Sequence, residues 1–384
     1  MRQNRTAGIF KITYPIYSET FITNQALALN SYKPLILART KVGESRVAML
    51  ALSDSDPSGI RQKFMTLTRS TSFFLRDERV RRLSLIHSHF GPCSVYALPL
   101  AHQLSIPLIS TFHGLDTTAT PWRYFLQELG VTTINYFLHL NELRKSGAGF
   151  IAVSGFIRDC LIDQGFPRER IHLLPIGVDT RRFRPLPDDK RRTDSRYILN
   201  VARHMPVKGI ETLLLAFDRI AIRHPGVMLL QVGSGPLTAS LKTLVRDLGM
   251  TERVQFLGVQ SHREVLDLMQ RADLVALTSQ SAASGAQEAL GMVLNEASAC
   301  GVPLAATRCG GIPEIALDCE TGLLSPERDV RSLSDNLDNL LSDGELRRKL
   351  GQRGREYVCE QFCLRTQTRK LERLYDQVVE EWRH

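Results

Sequence analysis

Gln287 to Pro303 reads Q-E-A-L-G-M-V-L-N-E-A-S-A-C-G-V-P, and the order of its breakers decides the fold. Upstream, Ser279 to Gln287 is small and polar, the composition of a loop. Gly291 then precedes an apolar run, so a helix is expected to begin near Met292. Gly301 and Pro303 stop that helix just before the apolar Leu304 to Ala306, which reads as a strand. Loop, helix and short apolar strand in this order are the repeating unit of a parallel α/β sheet.

The same stretch carries two glutamates, Glu288 and Glu296, eight residues apart. At about 100° per residue a continuous helix would leave them roughly 80° apart, too skewed for two carboxylates to share a proton. With Glu288 on the loop and Glu296 in the second turn of the helix, they would instead grip separate parts of an extended ligand. A solvated loop charge and a helix-surface charge are the ordinary alternative. Against it, Glu296 is embedded in A-S-A-C-G-V-P, whose small residues allow close packing and favour an inward carboxylate.

Working outward, short apolar runs alternate with helical patterns along the chain. In the first half the runs are Gly8 to Ile12, Leu35 to Leu37, Leu85 to His87, Pro107 to Thr111 and Gly149 to Val153. In the second they are Tyr197 to Ala202, Val227 to Val232, Arg253 to Leu257, Leu274 to Leu277, Pro303 to Ala306 and Gly322 to Leu324. Each half reads as a doubly wound parallel sheet. Residues 181–196 are charged, contain proline and lack apolar periodicity, and read as a linker. A first domain over 1–180 and a second over 197–365 follow, with a last helix, about 366–384, packing back on the first.

At 384 residues and 43% hydrophobic content the chain exceeds one typical core, which also predicts two domains. Seven cysteines form no C-x-x-C pair, and Cys359 and Cys363 lack histidines at zinc-finger spacing. A reduced, cytoplasmic chain without structural metal is expected. With neither a run of roughly 20 strongly apolar residues nor a signal-peptide centre, it is expected to be soluble or peripheral.

A net charge of +9 suits an anionic partner. Basic residues crowd Arg61 to Arg82 among Phe64, Met65, Leu67, Phe73, Phe74 and Leu75. That mixture suits an anionic membrane surface, or else a solvated helical face over a core stripe. No nucleic-acid partner is expected, because no recognised nucleic-acid motif accompanies the patch.

In open α/β sheets ligands bind beyond the C-terminal ends of the strands, and the residues there are chemically uneven. N-V-A-R-H-M-P-V-K-G, after Tyr197, places Arg203 and Lys208 at a strand-to-helix turn, where cations and helix amides act together on a diphosphate. G-S-G-P-L, after Val232, opens like a dinucleotide fingerprint but has Thr238 where the third glycine should fall, a weak nicotinamide signal. Cys309-Gly310-Gly311-Ile312-Pro313-Glu314 offers glycine amides to a sugar or phosphate, or is a tight structural turn. In the first half, Ser110-Thr111-Phe112-His113-Gly114-Leu115-Asp116 puts a histidine at a strand end. Ser18-Glu19-Thr20-Phe21 follows the first strand, as ligand contacts or as the cap of the next helix.

Together these motifs resemble, nearly end to end, the retaining glycosyltransferases of family 4. The matched elements are Glu-x7-Glu at Glu288 and Glu296, Arg-x4-Lys-Gly at Arg203, Lys208 and Gly209, and G-G-x-P-E at Gly310 to Glu314. Smaller matches are A-V-S-x-F-I at Ala152 to Ile157, P-I-G-V-D at Pro175 to Asp179 and V-G-x-G-P at Val232 to Pro236. S-E-T-F-I at Ser18 to Ile22, H-F-G-P at His89 to Pro92 and T-F-H-G-L-D at Thr111 to Asp116 resemble the branch that builds exopolysaccharides such as colanic acid. Two departures stand out. Glu288-Ala289-Leu290-Gly291 replaces Glu-Gly-Phe-Gly, and Tyr17-Ser18-Glu19-Thr20 replaces a Gly-Gly loop after the first strand.

The resemblance implies an α/β GT-B fold, two Rossmann-like doubly wound parallel-sheet domains facing across a cleft, and a metal-independent hexosyltransferase. Arg203 and Lys208 would hold the donor diphosphate, Glu296 would accept hydrogen bonds from the ribose hydroxyls, and Glu288 would contact the transferred sugar. Gly291, Met292, Val293, Gly310 and Gly311 would complete the donor site. His113 would face the sugar and reacting centre, with Ser18, Glu19, Thr20 and Asp116 on the acceptor side. The leaving phosphate would take the acceptor proton, with retention at the anomeric carbon. No cofactor is implied. The implied partners are a UDP- or GDP-sugar and a lipid-linked oligosaccharide, at the inner face of the cytoplasmic membrane. A GT-B sugar-nucleotide epimerase and a catalytically inactive sugar-nucleotide-binding partner are the alternatives.

Overall fold

The structure is a computed structural model and describes residues 5–118, 130–187 and 196–383. The chain forms two compact units, one of Met1–Gly177 with Leu364–His384, the other of Val178–Cys363. Of the segment read as a linker, residues 188–195 lie outside the described residues. Its earlier part belongs to the second unit, where Phe183 is buried and its carbonyl accepts from Arg355 Nη1 at 2.8 Å.

Among its described residues the first unit holds seven strands: β1 (Arg5–Tyr14), β2 (Tyr32–Lys41), β3 (Met49–Ala51), β4 (Leu85–His89), β5 (Leu108–Phe112), β6 (Gly149–Ala152) and β7 (Ile171–Leu173). They pair in parallel in the order β3-β2-β1-β4-β5-β6-β7. The second holds β8 (Arg196–Val201), β9 (Val227–Val232), β10 (Val254–Gly258), β11 (Leu274–Leu277), β12 (Leu304–Thr307) and β13 (Gly322–Ser325). These are also parallel, in the order β10-β9-β8-β11-β12-β13.

Every apolar run read as a strand is one. The sequence reading lacks only β3 and β7, three residues each at the two edges of the first sheet and mostly half-buried or exposed, too short to show a period. By contrast β4 and β5 are buried at every residue, as strands covered on both faces must be. In each sheet the strand order reverses once, between β1 and β4 and between β8 and β11. Those reversals open a crevice at the C-terminal strand ends.

The last helix, Leu364–Glu381, is part of the first unit. Its Leu371, Leu374, Tyr375, Val378 and Val379 recur every three or four residues and pack with Ala7, Leu85, Ile109 and Ile151, one residue each from β1, β4, β5 and β6. Full burial of such side chains stabilises by about 1.5–3 kcal/mol apiece. Polar contacts fix the register: Glu372 Oε1 accepts from Asn30 N at 2.7 Å, and Arg5 Nη1 donates to Asp376 Oδ1 at 2.6 Å.

Candidate active site

In the second unit the reversal lies between the turn after β8, Ala202 to Gly209, and the loop after β11. The G-S-G-P loop serves this turn through backbone packing. Gly233 has φ 124°, and a Cβ there would stand 2.0 Å from Ala202 O. Thr238 also supports the turn, because its Oγ1 lies 2.7 Å from His204 Nδ1 and accepts from Gly235 N at 3.0 Å. Arg203, between these anchored neighbours, is exposed and has no ion-pair partner among the described residues.

Lys208 closes a single 3-10 turn, Pro206–Lys208. The end of β11 holds that turn: Thr278 Oγ1 donates to Gly209 O at 3.0 Å, and Gln280 N donates to Val207 O at 2.8 Å. The ammonium is thereby aimed at the following loop, where Lys208 Nζ donates to Glu288 Oε2 at 2.5 Å and Ser279 Oγ donates to the same oxygen at 2.8 Å. The two charged side chains are 23% and 14% exposed. Burial works to raise the Glu288 carboxyl, but the Lys208 charge and the two hydrogen bonds outweigh it and hold the group below the usual carboxylate range.

The glycine pair acts on this site through Glu288. Gly311 N donates to Glu288 O at 2.9 Å, and Gly310, at φ 54°, passes so close that a Cβ would stand 2.0 Å from that oxygen. Cys309 to Glu314 thus forms a tight turn in which the Gly311 amide is engaged by protein.

Gly291, left-handed at φ 81°, caps helix Met292–Ala299, and Met292 and Val293 form its half-buried first turn. Glu288 lies on irregular backbone and Glu296 on this helix, the loop-and-helix arrangement that the spacing predicts. Glu296 has no side-chain hydrogen bond among the described residues. Burial pushes its carboxyl up to about 7, with only Arg182 opposing. The two glutamates thus sit in opposite electrostatic states, one pinned as a carboxylate and one poised between forms near neutral pH.

The first unit gathers a second polar cluster at its own reversal. Lys11 on β1, 3% exposed, lies 2.7 Å from Glu19 Oε2 and 4.1 Å from the centroid of Phe90. Glu19 makes no side-chain cap to helix Thr20–Leu27, so it is the counter-ion of a buried lysine rather than a helix cap; Ser18 is exposed and Thr20 begins the helix. Past β4 and β5, His89 Nδ1 lies 3.0 Å from His113 Nε2. Asp116 Oδ2 accepts from Gly91 N at 2.8 Å, and its Oδ1 from Gly114 N at 3.0 Å and His113 N at 3.3 Å. Its oxygens therefore tie the loop after β5 to the helix after β4, and burial lifts its carboxyl above the ordinary range despite those amides.

Sequence reasoning did not single out Lys11, His204 or Ser279, and gave Thr238 only as a missing glycine. Their signals are weak: Lys11 meets Glu19 eight residues on, Ser279 meets Glu288 nine on and His204 meets Thr238 34 on, across turns that no helix or strand period spans. An Asp-x-Asp triplet, Asp54-Ser55-Asp56, does occur in the first unit, but Asp56 accepts from Gln62 N at 2.9 Å and Ser58 Oγ at 3.1 Å and so organises the start of helix Ile60–Thr68.

Residues 185–357 match the family described as Glycosyl transferases group 1, and residues 45–182 that described as Glycosyltransferase Family 4. The N-acetyl-alpha-D-glucosaminyl L-malate synthase of Bacillus anthracis is 29% identical over 312 residues, 78% of this chain and 76% of that protein. The putative colanic acid biosynthesis glycosyltransferase WcaL of Escherichia coli K12 is 29% identical over 259 residues, 67% of this chain but 61%, less than two thirds, of that protein. The Anabaena protein Alr3699/HepE, crystallised with UDP and glucose, superposes with a TM-score of 0.78 at 17% identity, over 97% of this chain and 100% of its own. Family matches that reach into both units, on two parallel Rossmann-like sheets, establish that the chain belongs to glycosyltransferase family 4 and is a glycosyltransferase of the GT-B fold.

Proposed function

We propose that the protein moves a hexose from a UDP- or GDP-sugar to a lipid-linked saccharide acceptor, with retention of anomeric configuration, during assembly of an exopolysaccharide or cell-surface polysaccharide. The observation that carries the reading is the set of charges at the β8/β11 reversal: exposed Arg203, Lys208 shared with Glu288, and Glu296 one loop on. Arg203 and Lys208 meet the diphosphate, Glu296 the ribose hydroxyls and Glu288 the sugar, while Met292 and Val293 add the amide end of their helix. His113 is the first-unit residue assigned to the sugar.

In the reaction the anomeric C–O bond to the diphosphate breaks and a C–O bond to the acceptor hydroxyl forms on the same face. The acceptor proton passes to the leaving phosphate, whose charge the two cations stabilise, as a metal ion does elsewhere. The likeness to WcaL supports the polysaccharide assignment, and the UDP complex of HepE supports a UDP-sugar as the first donor to try.

Membrane contact is assigned to helix Ile60–Thr68, which leaves Ile60, Phe64 and Leu67 exposed at 68%, 56% and 63% on one face, beside exposed Arg61 and Lys63. Other parts of the basic segment are engaged in the fold: Arg69 is buried against Glu142, Arg79 pairs with Asp77, and Phe74 is fully buried, while Arg76, Arg81 and Arg82 are exposed. No described helix is long and apolar enough to cross a membrane.

A thermal-shift series with UDP, GDP, ADP and their sugar conjugates tests the donor, because a ligand that binds only the native state raises Tm according to its affinity. Absence of a shift with every nucleotide would refute the reading. Product analysis with and without a saccharide acceptor separates transfer from epimerisation, and flotation with anionic against neutral vesicles, repeated for Phe64→Asp, tests the surface.

A further inference from the structure

His113 owes its setting to a neighbour that no motif-based argument assigns. It follows β5 while His89 ends β4, and the two strands pair with His89 opposite Thr111. His113 Nε2 lies 3.0 Å from His89 Nδ1, with the rings within 22° of parallel and their centroids 5.3 Å apart. The other ring nitrogen, His113 Nδ1, is shut away from solvent and has no hydrogen-bond partner among the described residues. Phe90 and Phe21 flank the ring at 4.5 and 4.9 Å and restrict its position, but neither can select a tautomer. His89 is itself clamped. It is 2% exposed, and its ring lies 4.4 Å from, and tilted by 34° to, that of His87, whose two nitrogens meet Tyr375 Oη and Thr111 Oγ1, each at 2.6 Å. Burial holds both His89 and His113 well below the usual histidine range, so the pair is neutral and one ring donates while the other accepts.

We propose that His89 is the positioning residue of this site: its Nδ1 fixes both the rotation and the tautomer of His113. The inference rests on the reading that His113 meets the transferred sugar. An unmade hydrogen bond at a buried ring of this kind weakens its setting by about fivefold to a hundredfold.

Two variants separate geometry from mere polarity, since the amide of asparagine stands where Nδ1 stands in histidine and that of glutamine where Nε2 stands. Release of UDP from UDP-glucose and of GDP from GDP-mannose is the kinetic probe. His89→Asn should keep a kcat close to that of the parent, whereas His89→Gln and His89→Leu should lose about fivefold to a hundredfold in kcat with KM for the donor unchanged. In protein labelled with 15N at the histidine rings, His113 should show one tautomer in the parent and a mixture in His89→Leu.

His89→Asn as slow as His89→Gln, a loss confined to KM, or an unchanged single tautomer in His89→Leu overturns the proposal. If the parent releases neither nucleotide, the donor reading fails and the tautomer measurement alone decides. His113→Ala with unaltered kcat removes the sugar contact on which the inference rests, and is distinguished by being measured first.

Discussion

Lys208 Nζ stands 2.5 Å from Glu288 Oε2, so the cation assigned to the diphosphate and the carboxylate assigned to the sugar are each other's partner. The pair keeps both charges tolerable in a mostly buried turn, and a donor has to share the lysine rather than find it free. Removing one partner leaves the other uncompensated, which is costlier than removing both.

Lys208→Met is therefore expected to lower stability by about 3 kcal/mol, and Lys208→Met/Glu288→Gln to recover most of that loss while remaining unable to turn over a sugar nucleotide. Urea melts of the two variants and the parent decide it. A double variant no more stable than the single would show that the pair contributes little to the fold.

Glu296 should report its pressure through pH. Its folded carboxyl is raised to about 7 from an ordinary 4.5, so its contribution to stability is fully present below about 4.5 and is lost as pH rises through 7. Glu296→Gln should accordingly gain about 1–3 kcal/mol on the parent at pH 8 and almost nothing at pH 4.5. Melting curves at the two pH values test the sign.

Binding should carry the same signature with the opposite benefit. If ribose hydroxyls need the carboxylate, UDP or GDP binding releases a proton, and affinity rises about tenfold from pH 6 to pH 8 beyond the change seen in Glu296→Gln. Calorimetric titrations in buffers of different ionisation enthalpy count that proton directly; equal pH dependence in both proteins would exclude the contact.

Gly310→Ala tests how closely the glycine turn holds Glu288. With a left-handed φ and a Cβ that would stand 2.0 Å from Glu288 O, the turn must shift. We expect a loss of about 2–3 kcal/mol and a fall in turnover larger than the fall in nucleotide affinity. Retained turnover would mean that Glu288 does not need this support.

Leu371→Ala, in the last helix, should cost about 2–5 kcal/mol in the first unit, where its side chain is 1% exposed. The thermal shift given by UDP or GDP should survive at temperatures where the protein is still folded, because the charges at the β8/β11 reversal are all in the second unit. Loss of that shift would place nucleotide recognition elsewhere.

The strands were legible because a doubly covered parallel sheet demands unbroken apolar runs, and β4, β5 and β11 are buried throughout. Edge strands β3 and β7 lack that demand and left no pattern. The loop position of Glu288 and the helical position of Glu296 followed from the small, polar run Ser279 to Gln287 and from Gly291. What one chain could not reveal was pairing across distance. Lys208 and Glu288 are 80 residues apart, and Gly310 reaches the Glu288 backbone from another loop. Asp116 shows the same limit, since a carboxylate at a strand end reads as ligand-facing until its backbone partners are known.

The placement of Leu364–Glu381 has a consequence for synthesis. The second unit is one unbroken stretch, Val178–Cys363, and can close as soon as it leaves the ribosome. The first, begun earlier, must wait for the final helix to cover Ala7, Leu85, Ile109 and Ile151. Until then its sheet is left uncovered at those residues, a surface open to chaperones, and a chain cut short before Leu364 is damaged in the part that was made first.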